Sequence, residues 1–300
     1  MRNSYYQLMM TLVLIWATMG LGWNMLSGYS GMISFGHAAF FGLGAYTAGI
    51  AAKHGWGEPI TGLLLAALVA GIVGFAASLI VSRFRHLALI MITLGMGLLL
   101  HEAANSASWL TGGADGLQGV KIWPIFNTFR FDLWGYTAYS YSLIVLFLVF
   151  LVTRRIINSP FGLSLRGIRE NSVRMPALGA PSRAHIRKIY TISAVIAGFA
   201  GALLTQTTET VSLESIGFQR SADVLVILIL GGAGTLYGGL VGAIIFMVAR
   251  DQFSGTTPQF WYFWIGMLLI AVVMFLPNGI LGGLKMLTRS WHAKFSRGSA

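Results

Sequence analysis

RRIINSPFGLSLRGIRENSVRMPALGAPSRAHIRK, residues 154–188, carries eight of the chain's twenty Lys/Arg and a single acid, Glu170. Long apolar runs lie on both sides of it. Short Lys/Arg-rich loops stay on the cytoplasmic side of a membrane protein, so this stretch is placed inside and the remainder is threaded from it.

The composition supports that starting point. The 300 residues are 56% hydrophobic and only 10% charged, with mean hydropathy +0.73, which is the membrane class. A hydrocarbon core of about 30 Å needs about 20 helical residues. Residues 5–26, 60–81, 86–108, 136–152, 189–208 and 260–281 approach or exceed that length. Thirty-eight glycines suit close helix contacts in lipid. The expected fold is an all-α polytopic membrane domain over 1–300, of roughly eight membrane segments, some broken by glycine or re-entrant. The net charge of +11 does not point to nucleic acid, because the basic residues flank apolar spans where topology accounts for them. A chain without cysteine has no disulfide, Cys–metal or thiol chemistry. The first apolar run is longer than a signal-peptide core and shows no convincing cleavage site, so a cleaved signal is not expected.

Working backward from 154, the run 136–153 enters from outside, which makes 109–135 an external loop. Residues 86–108 then start inside, beside Arg83 and Arg85, and Lys53–Pro59 is external. Working forward, 189–208 leaves the cytoplasm, and a basic tail from Lys285 is internal. The segment 221–251 must therefore start and finish outside, which it does as two short helices around GGAGTLYGG, 231–239. The glycine-rich segment 31–52 either spans, placing Arg2 outside, or dips in and returns, placing Arg2 inside. With both segments re-entrant, fifteen of the twenty Lys/Arg fall inside. Interrupted segments in corresponding positions of two halves point to a transport path. Its candidate residues are Gly31, Ser34, Gly36 and His37 in the first segment, and Gly231, Gly232, Gly234 and Gly238 in the second. The plainer alternative is a pair of ordinary glycine-rich helices.

Within the basic loop, Ser159-Pro160 reads as a helix start and Pro176 as a break. A helix over 160–171, a bend, a second piece ending near Gly179 and a next span capped by Ser182 are expected. An exposed amphipathic piece of this kind docks a cytoplasmic partner or rests on lipid, and the residues alone favour neither.

Further signatures narrow the class. SPFGLSLRGIRENSVRMPALG with IRKIYTISAVIAGFAGALL resembles the cytoplasmic loop and following span of permease subunits of branched-chain amino-acid ABC importers, of the LivM type. SGYSGMISFGHAAFFGLGAYTAGI (27–50), TGGADGL (111–117), VLVILILGGAGTLYGGLVGAI (224–244) and LPNGILGGL (276–284) are similar to that family in the same order. Urea and short-amide importers use closely similar permeases. The resemblance implies an ABC-importer permease fold in a bacterial inner membrane and translocation of hydrophobic amino acids. It implies as partners a homologous second permease, two ATP-binding subunits that hold ATP and Mg, and an extracytoplasmic solute-binding protein. It also places Phe161, Gly162, Arg166, Arg169, Glu170, Asn171, Ala177, Leu178 and Gly179 on the segment that docks on the ATP-binding subunit. Ser172 and Pro176 depart from the usual pattern, where an acid and a helix former are common.

No enzyme is expected in this chain. None of the five lysines follows a glycine, so there is no P-loop, and HExxH and GxSxG are absent. The six histidines lack metal-ligand spacing, and no cofactor or metal is expected. His101 and Glu102 read as an interfacial pair at the outer end of their span rather than a proton relay, and His37 as a brace for the first break. Trp56, Trp109, Trp123, Trp134 and Trp261 suit an external aromatic belt. A proton-driven secondary transporter using His101, Glu102 or Asp223, and a membrane scaffold with no path, are the rival readings.

Overall fold

The computed structural model describes residues 2–124, 129, 135–276 and 279–283. Trp134 and the tail from Lys285 lie outside them. The helices are α1 (Arg2–Trp23), α2 (His37–Lys53), α3 (Pro59–Val81), α4 (His86–Ser106), the short α5 (Ser108–Thr111), α6 (Tyr136–Ile157), α7 (Pro160–Glu170), α8 (Arg174–Ala177), α9 (Ser182–Thr208), α10 (Phe218–Gly231), α11 (Gly238–Thr256) and α12 (Trp261–Phe275). Among the described residues, six helical stretches are long and apolar enough to cross a membrane, beginning at Tyr5, Pro59, His86, Tyr136, Ser182 and Trp261. Helices α2, α10 and α11 complete the bundle. The chain is a multi-pass membrane protein.

The central helix is α9, wrapped by α1, α2 and α3. Small residues set the spacing. A Cβ on Gly201 would lie 1.9 Å from the Phe41 carbonyl oxygen, and one on Gly44 2.3 Å from that of Gly198. Such backbone-to-backbone approach replaces the hydrophobic drive that lipid does not supply. Side chains of α9 then bond across the seam. Thr205 Oγ1 donates to the Ala45 carbonyl (2.9 Å), Gln206 Nε2 to that of Pro59 (2.7 Å) and Ser193 Oγ to that of Gly22 (2.6 Å). The outward faces of α3, α4, α6 and α12 carry large exposed apolar side chains such as Phe75, Leu99, Phe147 and Phe275, as lipid or partner contact requires.

One orientation differs from the inside placement of Arg2. The start of α1 lies beside the start of α6 (Gly135 sits against Gln7 and Leu8) and the end of α11, where the Tyr5 hydroxyl bonds Asp251. Both neighbours are external ends, so α1 begins outside. The first glycine-rich segment does not dip and return. The chain crosses inward as one stretch, 5–29, turns, and comes back out as α2, which is buried along nearly its whole length and so needs no apolar stripe. Only the second segment folds back on itself, as α10 and α11 around 232–237. The charge count tolerates this because a single basic residue changes sides.

The external segment behaves as expected. Leu117 and Val211 form an isolated antiparallel bridge and pack with Ala45, Tyr46 and Ile216 over the outer part of α2. Trp56, Trp109 and Trp123 are exposed there.

The cysteine-free chain makes the orientation directly testable. Tyr6→Cys, at an exposed position of α1, should react with a membrane-impermeant maleimide in intact cells, whereas Arg174→Cys in α8 should react only after permeabilisation. The seam makes a second prediction. Gly201→Ala should destabilise the purified protein by about 1–3 kcal/mol through overpacking. Gly266→Ala, where a Cβ meets nothing within 4 Å, should leave the thermal midpoint in detergent unchanged or slightly raised.

Candidate functional site

The basic segment divides, as expected, into a helix, a bend and a second piece, but Pro176, expected to break it, lies inside α8. Helix α7 buries Gly162, Leu165 and Ile168 and turns Leu163, Arg166, Arg169 and Glu170 outward. Asn171 ends it, and the Asn171 Oδ1 accepts the N–H groups of Val173 and Arg174 (3.1 and 3.0 Å), starting α8. Gly179 stands at φ +85°, the left-handed position that closes this piece. Phe161 stacks on His185 (ring centroids 5.3 Å apart) and Arg166 lies over the Tyr29 ring at 5.3 Å. Val173, Ala177 and Leu178 remain exposed on the cytoplasmic surface. Ser159 occupies the cap position, but its hydroxyl donates back to the Ile156 carbonyl. Ser182 donates to the Ser172 carbonyl (3.0 Å) rather than capping α9.

At its far end α7 meets both broken segments. Arg169 donates to the Gly28 carbonyl, in the π-turn Asn24–Tyr29 that closes α1. Asn24 faces the second break. Its Oδ1 accepts the Gly234 N–H (2.9 Å) and its Nδ2 donates to the Thr235 carbonyl (2.6 Å). A Cβ on Gly28 would strike the Gly234 nitrogen at 2.5 Å, and one on Gly31, at φ +74°, the Arg169 side chain at 2.9 Å. Gly279, just beyond α12, closes on Gly232. This joint gathers Gly31, Arg169, Gly232 and Gly234 from the expected set and adds Asn24, which the sequence reading passed over. An amide inside the apolar run GWNML was the available signal.

The other break residues play supporting parts. The N–H of Ala38, at the start of α2, is satisfied by Ser221 Oγ of α10 (3.0 Å), and that of Phe35 by Thr93 Oγ1 of α4 (3.3 Å). Gly36 rests on Thr93 and Gly97, and Gly231 on Gly238; Ser34 is fully buried. His37 is a brace. Its ring stacks on Trp23 and meets the edges of Phe40 and Tyr190. Because Ser193 donates to Gly22, the 2.8 Å contact makes His37 Nε2 the donor to Ser193 Oγ.

Two cavities flank this layer. The cytoplasmic one, about 610 Å³, is bordered by Gly31, Arg85, Leu89, Arg169, Leu228 and Ala233. The external one, about 630 Å³, is bordered by His101, Arg220, Asp223, Arg250, Trp261 and Tyr262. Helices α4 and α10 line both. Beside the external one, Phe35 meets Phe218, the first residue of α10, with ring centroids 5.5 Å apart. Glu102 is exposed and touches Ser106 on its own helix. Among the described residues, no three His, Asp or Glu side chains gather as a metal site would require.

A multi-pass helical bundle with broken helices pinned to a cytoplasmic loop, and a cavity on either side, defines a membrane permease. The family model described as "Branched-chain amino acid transport system / permease component" matches residues 5–273, and the chain belongs to that family. The high-affinity branched-chain amino acid transport system permease protein LivM of Escherichia coli K12 is 30% identical over 293 residues, 90% of this chain and 68% of that protein. The corresponding LivH of Salmonella typhimurium LT2 is 27% identical over 290 residues, covering 91% and 92%. The probable branched-chain amino acid transport permease protein LivM of Methanocaldococcus jannaschii is 24% identical over 331 residues, covering 91% and 93%. No solved structure matches.

Removing the Asn24 amide leaves the Gly234 N–H and the Thr235 carbonyl without their partner. Asn24→Ala should therefore cost about 1–3 kcal/mol, read as a lowered thermal midpoint of the purified protein. Asn24→Asp, which keeps the acceptor and loses the donor, should fall between.

Proposed function

We propose that this chain is the membrane-spanning half of an ATP-driven importer of branched-chain amino acids in a bacterial inner membrane. It pairs with a homologous permease and receives its substrate from an external solute-binding protein. Two separate ATP-binding subunits dock on the cytoplasmic segment and hold the ATP and Mg, so that hydrolysis is not a property of this chain. The observation that carries the reading is the joint at Arg169, where one exposed helix touches both chain breaks at once. A cytoplasmic subunit that grips the Leu163, Glu170, Ala177 and Leu178 surface acts on α7. Through Arg169 and Asn24 that motion reaches the ends of α1 and α10 that border the cytoplasmic cavity. Family membership and the names of the similar permeases support the substrate class.

Arg166 lies on the outward side of α7 and its aromatic contact is confined to Tyr29. Arg166→Glu in the reconstituted complex should lower ATP-driven leucine uptake by about tenfold or more, the equivalent of about 1.4 kcal/mol of lost coupling, while ATP hydrolysis continues. Unchanged uptake would remove α7 from the coupling role. A chain that purifies without an ATP-binding subunit, and moves solute without ATP, would overturn the importer assignment.

A further inference from the structure

The external cavity holds charge that neither the joint nor the coupling segment uses. Asp223 of α10 is 4% exposed and borders the cavity, yet no cation lies within 4 Å of its carboxylate among the described residues. The single ion pair there joins Arg220 to Glu214 at 3.6 Å. Arg220 is also held over the Trp16 ring at 5.5 Å. Arg250 borders the same cavity from α11, its guanidinium 5.2 Å above Trp261. It has no carboxylate within 4 Å among the described residues, because the adjacent Asp251 is taken by the Tyr5 hydroxyl. Both arginines are near enough to act on Asp223 through space without closing on it. A buried carboxylate and a guanidinium left apart are costly in a low-dielectric setting. Their separation fits a ligand that carries both opposite charges. Phe218, Trp261 and Tyr262 supply apolar walls, and a cavity of this size suits a small molecule.

We propose that this cavity is a binding site for a zwitterionic α-amino acid within the permease itself. The ligand's ammonium sits on Asp223 and its carboxylate on Arg250, and its hydrocarbon side chain lies among Phe218, Trp261 and Tyr262. The proposal rests on the amino-acid permease reading and adds to it a selective step after release from the solute-binding protein. An amino acid stripped of either charge leaves Asp223 or Arg250 unpaired, which is the strongest form of discrimination a site can exercise. Phe218, which also meets Phe35, borders the site from the first residue of α10.

The test uses the assembled permease pair and its ATP-binding subunits in nanodiscs, without solute-binding protein or ATP. Gln219, which borders the cavity, is replaced by Cys in the otherwise cysteine-free chain and labelled with a maleimide. Leucine at about ten times its Kd should slow labelling about tenfold, whereas leucinamide and 4-methylpentanoate at the same concentration should not. Asp223→Asn and Arg250→Gln, added singly, should each weaken protection by leucine about tenfold or more, with assembly checked by co-purification. Equal protection by all three compounds, no protection by leucine, or unaltered protection in both charge variants would overturn the site. If a charge variant fails to assemble, the comparison of the three compounds on Gln219→Cys still decides. Uptake of leucine by the same complex, supplied with binding protein and ATP, separates the two levels. Uptake without protection removes the site and leaves the permease reading standing, and no uptake of any amino acid removes the reading.

Discussion

Backbone groups freed by a broken helix must find partners inside the protein, because lipid offers none. That requirement shapes this molecule more than any single apolar contact. The chain stops being helical at 31–36 and at 232–237, and side chains of other helices meet N–H and carbonyl groups at or beside each break. Asn24 serves the second break, Arg169 the first, Ser221 and Thr93 the start of α2. Helices distant in sequence are thereby tied to one another along the length of α10. The cytoplasmic loop is drawn into the same network, so what docks outside the membrane is bonded to what is irregular within it.

The seam around α9 makes the opposite choice. There glycines bring backbones together and polar groups only stitch neighbouring helices, with no interruption to repair. Small-residue packing gives a close, regular contact, whereas the joint is held by a few directed bonds. The chain thus combines a close-packed unit of α2, α3 and α9 with a region held by a few directed hydrogen bonds.

Much of this was legible in advance. The apolar runs on either side of the basic loop are the long helices α6 and α9, because a span long enough to cross lipid announces itself by length and hydropathy. Pro160 and Gly179 marked the two ends of the cytoplasmic segment through local backbone chemistry, but the break expected at Pro176 falls at Asn171 and Pro176 lies inside α8. The direction of α1 was not legible, since it turns on one arginine and on whether α2 crosses, and a helix buried on all sides carries no stripe to announce itself. Ser159 and Ser182 sat where caps belong but bonded elsewhere, a choice that depends on tertiary neighbours. The external charges had a signal that went unread. Arg220 and Arg250 stand on the side that charge bias disfavours, so something other than topology must retain them.

Gly162 adds a mechanical consequence. A Cβ there would fall 2.1 Å from the Ile157 carbonyl oxygen, so the first turn of α7 is seated directly on the end of α6 with nothing between to compress. Its other end is tied through Arg169. Eleven residues make a rod of about 16 Å with a fulcrum at one end and a tether at the other. A push on its exposed flank swings the tethered end sideways while the fulcrum stays in place. Under the proposed coupling the helix would work as a crank whose throw is set by its length: a turn added to α7 or removed from it would shift the arginine off the carbonyl it holds.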